Sequence, residues 1–533
     1  MSATPELKGP QSQAKVKMTT PVSKYLAFSL STMFALMAVG CDSRGENEES
    51  PHSDQFSNFA KPSNESQIEA FCSKCHRMPL PTSFPKHAWR DEVRRGFEFY
   101  YASDQVDEAI PRQTEVQQYF VKNAPQKLSL PSPDSVDDLW VKRFEQLEVA
   151  LPEVQNPAVS FLDYVDLGDK LGPGIILSEM REGGIYFIPI FDGRKSGRPL
   201  LLSRLSNPAA IKACDWNSDG LTDLMVADLG SFLPDDHKKG QVVLLQRENS
   251  SSELFSPTTL VDGIGRVSSI EISDLDNDGA LDVLVAEFGW HETGSIFWLK
   301  RSISDPTGLL EKRLIDGRSG AIHVPIHDFN SDGHPDFVVV ISQHHEVVEL
   351  MINDGNGNFS AKTLYEAPCP SFGSSGVDLS DINHDGLLDI LYTNGDSFDS
   401  FTLKPFHGVR WLENRGNLSF RPHEIGLLPG THRSVAKDIN SDGKCEVIAG
   451  TFIPARLLVD GGKNAESLVL WSQTEELSFE KHVLDANDCV NATLCIADVD
   501  RDGFNDLIVG HFRDDLVGPA LTVWFYRGSS RAL

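Results

Sequence analysis

Cys72-Ser-Lys-Cys75-His76 places two thiols and an imidazole within five residues. At this spacing each thiol can add to one vinyl group of a haem, and the adjacent imidazole then reaches the iron as its proximal axial ligand. Three other chemistries use the same pair: a redox dithiol, a disulfide, or half of a zinc site. Zinc needs a second ligand pair nearby, and the next cysteine is Cys214. A thioredoxin-like dithiol sits among alternating strands and helices, a context absent around residue 72. With 8 Cys and 16 His in 533 residues, chance produces this pattern on the order of a few times in a thousand such chains. Covalent haem c on Cys72 and Cys75, with His76 on the iron, is therefore the leading expectation. His87 is the one other histidine between His76 and the repeats that follow, which makes it the candidate distal ligand. A five-coordinate iron and a ligand supplied by the second domain are the alternatives. No methionine lies between Met78 and Met180, and Met78 is too close to His76 to reach the opposite haem face. Without a thioether ligand the potential should be low.

A second chemistry recurs along the rest of the chain. Six segments read D-x-[DN]-x-D-G-x-x-[DE], and oxygens at positions 1, 3, 5 and 9 around a turning glycine make a cage for a hard cation such as calcium. The candidate ligands are Asp215, Asn217, Asp219 and Asp223, then Asp274, Asp276, Asp278 and Asp282, then Asp328, Asn330, Asp332 and Asp336. They continue with Asp381, Asn383, Asp385 and Asp389, with Asp438, Asn440, Asp442 and Glu446, and with Asp498, Asp500, Asp502 and Asp506. An EF-hand is excluded, because the glutamate at position 12 is missing and β-rich sequence follows each loop, as in Leu224-Met-Val-Ala227. Asp, Asn and Gly also make tight turns without any metal, but six copies in register favour calcium.

Different elements must position these two sets. Around the thiols, 67–71 reads as a short helix, Pro79, Pro81 and Pro85 force a loop, and 89–97 and 114–122 have the periodicity of amphipathic helices, the second stopping near Pro125. The acidic loops begin 59, 54, 53, 57 and 60 residues apart, a period that signals repeat architecture. Apolar runs with polar turns at 350–359, 411–420 and 471–479 give each unit four strands, the content of a propeller blade. One period before Asp215, the stretch Asp163-Tyr-Val-Asp-Leu-Gly-Asp169 is a shortened copy without a complete cage. The count is seven blades, six metal-bearing and one degenerate. Turns carrying Glu287 to His291, His344-His345-Glu346, Asn394 to Asp396 and Gly510 to Asp514 should share one face, where a ligand or active site over the channel could form. Cys489 and Cys495 are candidates for a disulfide, whereas Cys214 and Cys445 read as packed thiols.

Three resemblances follow from these motifs. Residues 61–130 look like a small monohaem cytochrome c. The acidic repeats of 156–533 resemble the calcium loops of FG-GAP or VCBS repeats, the units of propellers like that of integrin α subunits, with 131–155 a linker or a strand closing the ring. Ahead of both, Lys8, Lys15, Lys17 and Lys24 precede an apolar run ending Ala38-Val-Gly-Cys41, the layout of a signal peptide over 1–40. Its end resembles the lipobox of bacterial lipoproteins, with Ala38 where Leu is more usual. That resemblance implies acylation of Cys41 and a polar spacer over 41–60.

The implied fold is mainly β, a seven-bladed propeller with calcium loops preceded by a small all-α domain. The net charge of -29 excludes nucleic-acid binding through the overall field. The expected function is an exported protein, lipid-anchored to a bacterial membrane and facing the periplasm or the cell surface. It would carry electrons through one haem c while the propeller binds a redox partner or a small substrate. The alternatives are a haem-coupled dehydrogenase acting on a sugar or alcohol, and an adhesive or carbohydrate-binding surface protein. No nucleophile elbow, P-loop or dinucleotide fingerprint occurs, so the enzyme reading stays second.

Overall fold

The computed structural model describes residues 65–103, 110–168, 171–191, 194–248, 254–301, 310–398, 400–458, 465–475, 478–514 and 517–528. The signal segment, the spacer and Cys41 lie outside these residues.

The N-terminal part of the described chain is helical. Helices α1 (Glu65–Cys72), α2 (Trp89–Ala102) and α3 (Gln113–Asn123) pack around one apolar core. Residues Trp89, Val93 and Phe97 recur at the four-residue spacing that lines one helix face, and they meet Val116 and Phe120 of α3, Ile68 of α1 and Phe84. The Trp89 ring stacks on Phe120 at 4.0 Å, and its indole N–H donates to the Pro81 carbonyl at 2.9 Å. Helix α2 runs one turn beyond the expected 97, and α3 stops just before Pro125 as its sequence demands.

From residue 144 the chain is β-structure, and among the described residues its strands form seven sheets. The blades succeed one another in chain order, and in each the first strand is innermost and the later ones lie progressively outward. The second and third strands are nearly continuous apolar runs because both faces are covered by adjacent blades. Residues 223–228, 282–287 and 336–341 are buried throughout. Trp298, Trp411 and Trp471 fill the space between outer strands.

Ring closure is made by the segment between the two parts. Strand Phe144–Val149 pairs antiparallel with the last strand, from Phe144↔Tyr526 to Val149↔Leu521, and so forms the outer edge of the seventh blade. The one-turn helix α4 (Asp138–Val141) seats Trp140 beside it, against the core between blades six and seven. In the first blade Asp163 belongs to the inner strand Val159–Asp166 rather than to a loop, and Leu167 N–H donates to the Gly172 carbonyl at 3.0 Å beyond the strand's end. Asp169 lies outside the described residues.

Candidate functional site

All six acidic loops join the first to the second strand of a blade, so they lie on one face of the ring. Their local geometry is nearly identical. Position 4 takes the left-handed conformation, with φ between 56° and 60° at Ser218, Asn277, Ser331, His384, Ser441 and Arg501. The glycine at position 6 has φ between 83° and 91° and open space where a Cβ would stand at Gly220 and Gly386, so the backbone angle, not crowding, demands glycine. The carboxylate at position 1 accepts the N–H groups of positions 5 and 6, as Asp215 does from Asp219 at 3.0 Å and Gly220 at 2.9 Å.

Position 9 differs from the others. It is the first residue of the second strand and is fully buried at Asp223, Asp282, Asp336, Asp389 and Asp506. Asp223 accepts N–H from Trp216 at 3.1 Å and from Arg247, at the end of the third strand, at 2.7 Å. Asp282, Asp336, Asp389 and Asp506 repeat this bridge. Burial pushes Asp282 and Asp389 up to about 6 and Asp506 to about 7. Glu446 keeps the bond from Ile439 at 2.9 Å, but its longer chain turns the other oxygen to the Asn440 amide at 3.0 Å. The position-9 carboxylate is thus a structural pin between loop and blade as well as a candidate ligand.

The loops separate by their third position. In the two with Asp there, one oxygen from each of Asp274, Asp276 and Asp282, and likewise of Asp498, Asp500 and Asp506, lies within 4.8 Å of the others. That spacing suits oxygens about 2.4 Å from a shared calcium ion. The buried Oδ1 of Asp276 has no hydrogen-bond partner, so the donor set fits a cation. Each of these two loops also meets a basic side chain. Lys300 pairs with Asp276 and, at 3.0 Å, with Asp278, while Arg194 reaches Asp500 at 2.6 Å and Asp502 at 3.1 Å. In three of the Asn loops the amide of Asn217, Asn330 or Asn383 donates instead to the position-5 aspartate at 2.8 to 2.9 Å.

The opposite face carries the connections between second and third strands, and the helical domain rests on it. Arg77 forms a bidentate ion pair with Glu366, Ser83 Oγ donates to Cys369 Sγ at 3.5 Å, and the Lys404 ammonium lies 4.7 Å from the Phe84 ring. Helix α1 ends at Cys72, which is half-buried, and the following turn exposes Cys75. Burial pushes the Cys72 thiol up to about 11. His76 Nδ1 lies 2.7 Å from the carbonyl of Arg77. A carbonyl only accepts, so Nδ1 carries the hydrogen and Nε2 is left as the lone-pair nitrogen, the arrangement a metal-binding histidine uses. His87 is exposed in the turn before α2. The imidazole that comes up to His76 is His344 of blade four, with ring centres 6.4 Å apart. The His345 ring lies tilted beside that of His344 with centres 4.1 Å apart, and His291 of blade three packs on Phe99 of α2 at 4.7 Å. Burial and the neighbouring His345, His76 and His291 push His344 down to about 4, so it is neutral near pH 7.

Residues 215–285 and 328–392 match the family model described as FG-GAP-like repeat. These blades are FG-GAP repeats. No curated protein matches the chain.

On this propeller the expected convergence of His and carboxylates over the channel does not form as the sequence suggests, because the acids are consumed by the fold. Glu287 accepts from Gly265 N–H and Ser295 Oγ, each at 2.5 Å. Glu346 accepts from Gly373 and Ser374 N–H, Asp396 from Phe398 N–H, and His511 is held between Asn491 and Thr522. What remains open on that face is the histidine group beside His76. The disulfide expected between Cys489 and Cys495 is also absent: both are free thiols. Cys489 turns in the left-handed conformation ahead of the strand Asn491–Ala497, and Cys495 lies within that strand, so the two thiols belong to different parts of the blade. Cys495 lies against Asp163 at 3.4 Å instead. Cys445 is a buried packed thiol, as read, and Cys214 is half-buried, both pushed up to about 12 by burial.

The inner strands bring together a polar set that no local motif announced. Lys212 pairs with Glu271 at 2.6 Å, and Arg433 lies 2.9 Å from His323 Nε2 and 3.9 Å from Asp378. Each comes from a different blade. The sequence signal available was a charged residue within each of the inner strands that carry Lys212, Glu271, Asp378 and Arg433, whereas His323 lies just ahead of the short inner strand Ile326–His327.

Proposed function

We propose that this chain is an exported, lipid-anchored electron-transfer protein that holds one covalent haem c on its helical domain and uses a calcium-stabilised FG-GAP propeller to dock a redox partner. The observation that carries this reading is the state of His76: its Nδ1–H is committed to the carbonyl of Arg77, five residues after the end of α1, which leaves Nε2 as the lone-pair nitrogen in the turn that carries Cys75. Haem, when bound, supplies a one-electron couple between Fe(III) and Fe(II). The chain's own part is to tether it through thioethers to Cys72 and Cys75, to orient it through His76, and to present it at the boundary with the propeller. Arg77 and Ser83, on either side of the motif's exit, fix that boundary through Glu366 and Cys369. On the far face, the 20 carboxylates of the six loops repel one another, and calcium would relieve this. Acylated Cys41 would keep the assembly at a membrane surface.

The test is to express the chain with haem-maturation machinery, stain a denaturing gel for haem, and record reduced and oxidised spectra. Covalent haem lost in Cys72→Ala/Cys75→Ala is expected; a chain without it would refute the reading. Melting in calcium and in chelator tests the loops separately. A second reading, a dehydrogenase that feeds its own haem, is favoured by the charged set Lys212, Glu271, His323, Asp378 and Arg433 around the axis. Reduction of the haem by added sugar or alcohol, without a partner protein, would select it.

A further inference from the structure

We infer that His344 of the propeller is the distal axial ligand of the haem, so that one iron joins the two domains. The assignment rests on the haem reading above but goes beyond it, since that reading leaves the sixth position open. Two imidazoles on opposite sides of one iron, each nitrogen about 2.0 Å away, place their ring centres roughly 6.3 Å apart. The His76 and His344 rings are 6.4 Å apart, with their planes at 55°. A small metal held directly by the histidine group fits less well: among the described residues, no three ligand atoms of His76, His291, His344 and His345 come within 4.8 Å of one another.

The turn that carries His344 is built to hold it. Gln343 and Glu346 flank the histidine pair in the left-handed conformation, with φ of 60° and 50°, an arrangement that persists only where surrounding bonds enforce it. Those bonds are present: Ser342 Oγ donates to the Gly320 carbonyl at 3.1 Å, His345 N–H to the Ser342 carbonyl at 3.2 Å, and the Glu346 carboxylate accepts from Gly373 and Ser374. His76 is fixed on the facing side by its Nδ1–H bond. The boundary also offers apolar rings for a porphyrin edge. Phe99 is half exposed there, and Trp290 and Phe99 both pack on His291, at 4.5 and 4.7 Å. His87, by contrast, is exposed in the turn before α2.

The experiment uses full-length protein matured with haem, as wild type, His344→Ala and His87→Ala, read by haem stain, visible spectra and electron paramagnetic resonance. The expected result is a low-spin, bis-imidazole signature in wild type and in His87→Ala. His344→Ala should stain equally for covalent haem but lose that signature, gain carbon monoxide binding in the ferrous state, and regain the low-spin form on addition of free imidazole. The imidazole rescue separates ligation from a structural role. Covalent haem with an unchanged spectrum in His344→Ala would overturn this assignment alone, as would loss of the signature in His87→Ala instead. Absence of covalent haem in wild type would overturn the proposed function and this assignment with it.

Discussion

Replacing Asp223 by alanine tests whether position 9 of an acidic loop works through the fold or only through a metal. The carboxylate is fully buried and accepts two N–H groups, from Trp216 at 3.1 Å and Arg247 at 2.7 Å. Alanine leaves both donors in the protein without water, at a cost of about 1–3 kcal/mol each, so about 2–6 kcal/mol in all. Burial raises the carboxyl's pKa and offsets part of the gain in the wild type, which favours the lower half of that range. An unfolding entropy of about 2.1 cal/mol/K per residue over roughly 380 residues of propeller converts this into a drop of about 2–8 °C in melting temperature. Asp215 is the internal comparison: it is exposed, and the N–H groups of Asp219 and Gly220 can turn to water when it is removed. In chelator, Asp215→Ala should therefore cost under about 1.5 kcal/mol, with any further loss appearing only when calcium is present. Melts of wild type, Asp223→Ala, Asp223→Asn and Asp215→Ala, followed by circular dichroism in chelator, make the measurement. Asn keeps one acceptor and should lose about half as much as Ala. If Asp223→Ala melts no lower than Asp215→Ala in chelator, the argument from the buried bridge is wrong and position 9 acts through a metal alone.

Three further outcomes follow from the geometry. His511 is buried and neutral, held down to about 3 by burial and by Arg513, so its folded pKa lies below the unfolded value of about 6.5. Stability linked to it is intact above that value and is lost as pH falls towards 3; at pH 5 wild type should have lost about 2 kcal/mol more, relative to pH 7, than His511→Gln. Equal pH dependence of the two melts would contradict a neutral buried imidazole. Trp89→Ala removes a ring that is 2% exposed and stacked on Phe120 at 4.0 Å; the expected loss of about 3–5 kcal/mol should let protease cut residues 65–130 while the propeller survives, and uniform resistance would refute it. Alkylation of unfolded, unreduced protein should label both Cys489 and Cys495, and a mass two hydrogens short across that pair would restore the disulfide.

Local chemistry made much of this protein legible from sequence. An acidic turn needs only nine consecutive residues and a blade about fifty-five, so each is written contiguously. The turn glycines and the strand following each loop could be read because φ preference and alternating or continuous apolar runs are properties of neighbouring residues. Tertiary structure alone decided the rest. Ring closure depends on Phe144–Val149 finding the last strand, nearly four hundred residues away. Whether a conspicuous acid is a ligand or a pin depends on which N–H groups the fold brings to it: Glu287 and Glu346 look like site residues in sequence and prove to be anchors. Arg194 against the Asp500 loop, and His344 against His76, come from separate blades or domains, and Lys300 meets Asp276 only because the third strand of its own blade folds back beside the loop. No periodicity encodes such encounters, because they are set by the angle at which one packed unit meets the next.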